Sequence, residues 1–298
     1  GPAFGLVYAA LFAVMGWLWF SVRGQDESQF RTPTAAYALG MAISVAVIVA
    51  TAFLPTDPRI AIWAAFCAAW LAAFAVIGRI PAFAIAMSPT QSLVERFGLF
   101  TIIVLGEVVI GVVDGLSRAG RDPVTIATGL LALSVGFGFW WSYFDIVGRR
   151  LPRPAGQAVF PWVLSHLPIT MAIAAAGAGM TSLIAHAHDA SPPPATGWLL
   201  AGAVAVALLG LILTSLSLED ARRLPAVYRK IASTMAVGAT AAVIVAWLEP
   251  TAWLSALALA AILSIVWAVA IGRFLRAHAW SELESEAAVD RGAEHVTA

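Results

Sequence analysis

Charge is what this sequence has least of. Only 11% of its 298 residues are Asp, Glu, Lys or Arg, and 61% are hydrophobic, whereas an ordinary soluble domain carries about 25% charge. So little charge cannot cover a soluble core, and a mean hydropathy of +0.88 points to lipid as the solvent. Cysteine is nearly absent. Cys67 is the single one, which excludes an intrachain disulfide and a cysteine-based metal centre; within its apolar stretch it reads as a small buried hydrophobe. Lysine is equally scarce: Lys230 lies between apolar runs, so no span offers the amine that a retinal Schiff base needs. With 17 basic and 17 acidic residues the formal charge is zero, and no basic face exists to hold nucleic-acid phosphates. The G-x-x-x-x-G-K-[ST], H-E-x-x-H and G-x-S-x-G signatures are missing, which leaves no indication of a P-loop ATPase, a zincin or an α/β-hydrolase. There is no repeat, no low-complexity run and no loop long enough to fold alone. Nothing implies a cofactor or a metal. His186, His188 and Asp189 form H-x-H-D, but a third spaced ligand is lacking.

What is present is a series of nine apolar runs, at about 3–22, 34–54, 60–79, 97–116, 124–144, 157–183, 197–217, 231–248 and 252–272. Each has roughly the 20 residues a bilayer requires. Pro, Gly and charge punctuate the breaks, as in LPTDPR, SRAGRDP and LEPT, marking loops. Barrel strands would be half as long and alternate in polarity. The expected fold is therefore an all-α polytopic transmembrane helix bundle of about nine spans. It covers residues 1–277, and a polar, disordered tail over 278–298 follows. The stretch 80–94 is expected at the interface or re-entrant. The first run has no charged n-region or cleavage site and reads as a span rather than a leader.

Basic residues orient the bundle. Arg23, Arg31, Arg79, Arg96, Arg149, Arg150, Arg153, Arg222, Arg223, Arg229, Lys230, Arg273, Arg276 and Arg291 fall on one side; Arg59, Arg118 and Arg121 fall on the other. The positive-inside rule makes the first side cytoplasmic, with the C-terminus inside. The partners to expect are the lipid bilayer and an unidentified small solute or ion; the oligomeric state is left open.

Glu107 is the most conspicuous polar residue in the spans. Counted at 1.5 Å per residue from Arg96, it lies about 16 Å deep, near the midplane. Gly111 and Asp114 follow at i+4 and i+7 and share its helix face. An ionised carboxylate there costs roughly 3 kcal/mol on insertion scales and more in simulations, so that face is expected to look inward. His166, nine residues beyond Gln157, reaches a similar level, about 13 Å deep, with Pro168 weakening the helix beside it. Glu107 and His166 are expected to pair and share a proton; the alternatives are that each bonds locally and serves as helix glue. A second candidate site lies at the cytoplasmic interface. Glu95 and Arg96 are expected in the first turn of span 4, where an acid suits the helix dipole. Asp145 ends the aromatic run FGFWWSYFD, with Arg96 or Arg149 as its partner. Trp140, Trp141, Tyr143 and Phe144 resemble an interfacial belt. Glu219, Asp220, Arg222 and Arg223 read as a solvated charge cluster.

The run from Glu95 to Glu107, ERFGLFTIIVLGE, resembles the bacterial low-temperature-requirement A (LtrA) family of multi-span membrane proteins. WWSYFD at 140–145 and SHLPIT at 165–170 fit segments that follow it in that family. Two departures stand out: no E-L-F-F-D-like motif opens the chain, and Ser92 occupies a place where members often carry histidine. The resemblance implies a chain beginning at about the family's fourth span. It also implies a plasma-membrane protein linked to growth at low temperature, and it supplies no reaction. Three readings follow: ion or solute transport through Glu107 and His166, a non-catalytic protein of the envelope, or a lipid-acting membrane enzyme using Asp145, Glu95 and Arg96.

Overall fold

The computed structural model describes the chain apart from residues 1, 28, 29, 78, 79, 81, 82, 84–88, 121, 154, 155, 297 and 298. Of 156, 157 and 278–296 it describes the backbone only. Among the described residues nine helices are long and apolar enough to cross a membrane, and there is no strand beyond one isolated antiparallel bridge between Pro152 and Leu218. The chain is a multi-pass integral membrane protein. Of the stretch expected to be interfacial or re-entrant, 80–94, residues 81, 82 and 84–88 lie outside the described residues, and those from Gln91 onward belong to a helix.

The chain divides into two compact units. The smaller comprises Gly1–Ser88 with Ala155–Phe160 and is built on α1 (Pro2–Val22), α2 (Arg31–Thr51) and α3 (Thr56–Ile77). Polar groups of α2 meet tryptophans of α3. Trp63 donates its indole N–H to Thr51 Oγ1 at 2.8 Å, and Trp70 donates to Ser44 Oγ at 3.2 Å. Gly40 lies directly under the Trp70 ring, where a Cβ would overlap it. Cys67 is exposed on α3 rather than buried, because no residue of α3 is buried in this unit.

The larger unit, Pro89–Pro154 with Pro161–Ala298, holds the buried core. It contains α4 (Gln91–Arg118), α5 (Pro123–Tyr143), a π-helical turn (Phe144–Gly148), most of α6 (Gly156–Ala185), α7 (Pro194–Ser215), the short α8 (Glu219–Arg223), α9 (Pro225–Leu248) and α10 (Ala252–Val296). α10 continues as one helix into the stretch expected to be a disordered tail.

α4 begins six residues before the expected span limit, capped by Thr90, whose side chain accepts from Leu93 N. Glu95 therefore sits in the second turn, and the first turn carries no acid; the expected dipole role is corrected. Asp122 caps α5 by accepting from Val124 N and Thr125 N, with Pro123 just inside the helix.

Small residues set the helix spacing in this unit. A Cβ on Gly111 of α4 would overlap the carbonyl of Gly177 on α6, and one on Gly177 would meet the Glu107 carbonyl oxygen at 2.5 Å. This close approach lets Thr181 donate to the Gly111 carbonyl at 3.1 Å. Hydroxyls also tie α6 to α7: Thr214 donates to Ser165 Oγ at 2.8 Å, and Ser182 and Thr196 share a hydrogen bond of 2.7 Å. In lipid, where water competes for neither partner, such packing and bonding hold helices together.

Candidate functional site

Rotation about α4 decides where Glu107 points. Val108, Gly111, Val112 and Gly115 form the buried stripe of the helix. The Glu107 backbone lies against α6 at Gly177, while its side chain is exposed. It makes no hydrogen bond or ion pair with any described residue. The expectation that Glu107 faces inward and pairs with His166 is corrected: the glycine stripe fixes α4 in an orientation that carries the carboxylate outward. Gly111 does not share that outlook, being buried against Gly177. Asp114 belongs to neither group, because Arg118 on the next turn pairs with it at 2.8 Å.

His166 is enclosed and fully engaged. It is 1% exposed, as is Tyr143. Its Nδ1 lies 2.7 Å from the Trp162 carbonyl and its Nε2 lies 3.1 Å from Tyr143 Oη. A carbonyl can only accept, so Nδ1 carries the proton, and Nε2 accepts from the tyrosine hydroxyl. Aromatic rings close the space: the imidazole centroid lies 4.3 Å from that of Trp162 and 4.6 Å from that of Phe97. Tyr143 is thus no interfacial belt residue; the helix turns it inward while Trp141, two residues earlier, is exposed. The histidine is a packing element with both nitrogens satisfied.

A different group converges at the arginine-rich end of the unit. After Tyr143 the backbone widens into the π turn, a feature that recurs at functional sites. The turn ends at Gly148, where a Cβ would meet the Tyr143 ring at 2.5 Å. It places Asp145, Arg149 and Arg150 beside α8 and the middle of α10. Asp145 accepts the Trp267 indole N–H at 2.7 Å, and Arg150 donates to its backbone carbonyl at 3.2 Å. The expected partners Arg96 and Arg149 are both replaced. Arg150 also pairs with Asp220 at 2.6 Å and lies 4.1 Å above the Phe274 ring. Arg223 pairs with Glu219 at 3.5 Å. The loop that carries the arginines is tied down by Arg153 N to the Ser217 carbonyl at 2.9 Å and by Glu219 N to the Leu151 carbonyl at 3.3 Å. Arg149, exposed, has no partner among the described residues.

These residues border a hollow of about 530 Å³ lined by Asp145, Arg149, Arg150, Glu219, Asp220 and Arg223. A second hollow of about 410 Å³ adjoins it through Gln91, Phe144 and Arg149 and includes Glu95. Glu95 and Asp145 therefore line adjoining hollows, whereas Arg96 lines neither. Sequence reasoning took Glu219 and Asp220 for a solvated loop. It missed Arg150, Trp267 and Tyr143, whose roles depend on contacts between segments distant in the chain.

Residues 1–272, which take in the α4 motif and this cleft, match the family model described as Bacterial low temperature requirement A protein (LtrA). The chain belongs to the LtrA family. No curated protein and no solved structure matches it. In this LtrA protein the H-x-H-D loop reaches the α5 cap: His188 Nε2 lies 3.0 Å from Asp122 Oδ2, and no group of three or more metal-binding side chains occurs among the described residues. His188 first, and then the Thr125 hydroxyl and amide, hold the Asp122 carboxyl well below the usual carboxylate range.

Proposed function

We infer that the protein works at the arginine-rich end of its larger unit, binding a polar or amphiphilic solute in the cleft around Asp145 and Arg149. The supporting observation is convergence of charge. In a chain with 11% charged residues, six charged side chains line one hollow. Two of its arginines are neutralised within the protein, Arg150 by Asp220 and Arg223 by Glu219. Arg149 is left as the cation for a ligand. The charge asymmetry of the loops makes this end the cytoplasmic face of a bacterial plasma membrane.

Thermal unfolding of the purified protein tests this reading, with inorganic phosphate, phosphocholine and glycerophosphoethanolamine as probes. A ligand at a hundred times its Kd stabilises by about 2.7 kcal/mol, which raises the midpoint by several degrees. At least one probe should do so in the wild type and fail with Arg149→Ala. No shift with any probe, or a shift that survives the substitution, overturns the reading.

Glu107 supports a second reading, proton or cation handling at mid-span. Its exposed carboxylate lies where an ion is least tolerated, and such residues are by default functional candidates. In that reading Glu107 acts without His166. Reconstituted vesicles with an internal pH dye should then show proton flux in the wild type and none with Glu107→Gln; equal flux in both, or none in the wild type, removes it.

A further inference from the structure

We propose that the cleft takes one bilayer phospholipid whose headgroup carries an amine beside its phosphate, with an acyl chain laid along α4 and α5; this rests on the reading of the cleft as a binding site. The two charged hollows do not end at the headgroup level. The second shares Ile102 and Trp140 with a third hollow of about 290 Å³, lined by Leu105, Val109, Leu133 and Phe137 among others. The lining thus passes from six charged side chains, through a mixed stretch at Glu95, Gly98 and Leu99, to one without any charge. A soluble ion would have no use for the apolar end, and a hydrocarbon none for the charged end. An amphiphile uses both.

The length fits as well. From Gly98 to Val109 is eleven residues, about 16 Å along the helix. That is half of the roughly 30 Å hydrocarbon core, the depth of one leaflet. The floor is cut away at Gly106, where a Cβ would meet nothing within 4 Å, so a chain can lie directly on the α4 backbone.

The headgroup chemistry follows from what remains unpaired. Arg149 has five donors in a fixed fork and suits a phosphate. Glu95 borders the same hollow and has no ion-pair partner among the described residues. A cation beside an anion is complementary to a zwitterion with a compact ammonium, and less so to a phosphate alone.

The test uses the whole protein in nanodiscs of phosphatidylcholine, with a tracer phosphatidylethanolamine that bears a diazirine in its acyl chain. Mapped crosslinks should concentrate on residues 102–109 and 133–140. Arg149→Ala should lower them at least fivefold. Gly106→Leu, whose Cβ meets open space, should lower them as much while leaving the helical content by circular dichroism unchanged. Unlabelled phosphatidylethanolamine should compete better than phosphatidylglycerol, and Glu95→Gln should erase that preference. Even labelling of all lipid-facing helices, unchanged by either substitution, means an annular lipid only and overturns the proposal. Equal competition by phosphatidylglycerol in the wild type overturns the amine assignment and with it the proposal. If Arg149→Ala abolishes stabilisation by the soluble probes but leaves the acyl crosslinks intact, the lipid falls and the solute-binding cleft stands. If neither depends on Arg149, both fall.

Discussion

At the scale of the residue, His166 and Glu107 show two ways in which a polar side chain exists in an apolar helix. His166 is enclosed by rings and has both nitrogens bonded; removing the Tyr143 hydroxyl leaves Nε2 buried and unpaired. Tyr143→Phe should therefore cost about 1 kcal/mol. A double-mutant cycle with His166→Ala should return a coupling near 0.6 kcal/mol, within the ceiling of about 1.7 measured for membrane proteins. Strictly additive losses in reversible unfolding would show that the two do not interact. Counting rise per residue suggests similar depths for the two side chains. Their direction was not legible, because azimuth is set by which stripe of α4 meets α6, and that depends on Gly177, seventy residues away. Depth alone suggested a pair; the glycine contact separates it. Family membership was readable at this scale, since the run from Glu95 to Glu107 carries it in thirteen consecutive residues.

At the scale of the element, close approach and capping decide stability. Gly111→Ala places a methyl group against the Gly177 carbonyl. It must push α4 from α6 and strain the Thr181 bond, costing on the order of 1–3 kcal/mol. Gly106→Ala, on the open side of the same helix, should cost no more than a few tenths and is even favoured by helix propensity. Equal effects of the two on the melting midpoint would refute the packing account. The cap of α5 predicts a pH dependence. A carboxyl held below its ordinary range contributes stability above its unfolded pKa, about 3.9, and loses it as pH falls through its folded value. The Asp122 carboxylate should therefore support the α5 entrance fully above pH 4 and progressively less below it. Asp122→Asn should flatten the acid limb of the midpoint-against-pH curve, and an unchanged limb would contradict the cap. Helix existence was legible from the length of the apolar runs, and Asp122-Pro123 even marks the α5 start. The π turn was not. Nothing in FDIVG distinguishes it from an ordinary last turn; it follows from Gly148 closing on the Tyr143 ring and from the tie between Arg153 and Ser217.

At the scale of the whole molecule, orientation is the property on which the cleft's role depends. In sequence order, fourteen of the 17 basic residues fall at one set of run ends: those after the first, third, fifth and seventh apolar runs, with the C-terminal stretch. Arg59, Arg118 and Arg121 fall at the other. An odd number of spans separates the two termini in this count, so a single missed or extra crossing would mix the two groups. The nine candidate spans among the described residues preserve the separation. In the proposed function the fourteen-residue side is cytoplasmic, because short loops rich in arginine resist export; on that proposal the Arg149 cleft opens to the lipid headgroups of the inner leaflet. Cys67 is the chain's only cysteine and is exposed on α3, so a Cys67→Ala background leaves the protein clean for labelling. Single cysteines at Ser191, in the loop between α6 and α7, and at Ala221, in α8, should then react oppositely with a membrane-impermeant maleimide in intact cells. The residue-191 site should label and the residue-221 site should label only after lysis. The reverse pattern would turn the cleft toward the outside and force its lipid to come from the outer leaflet.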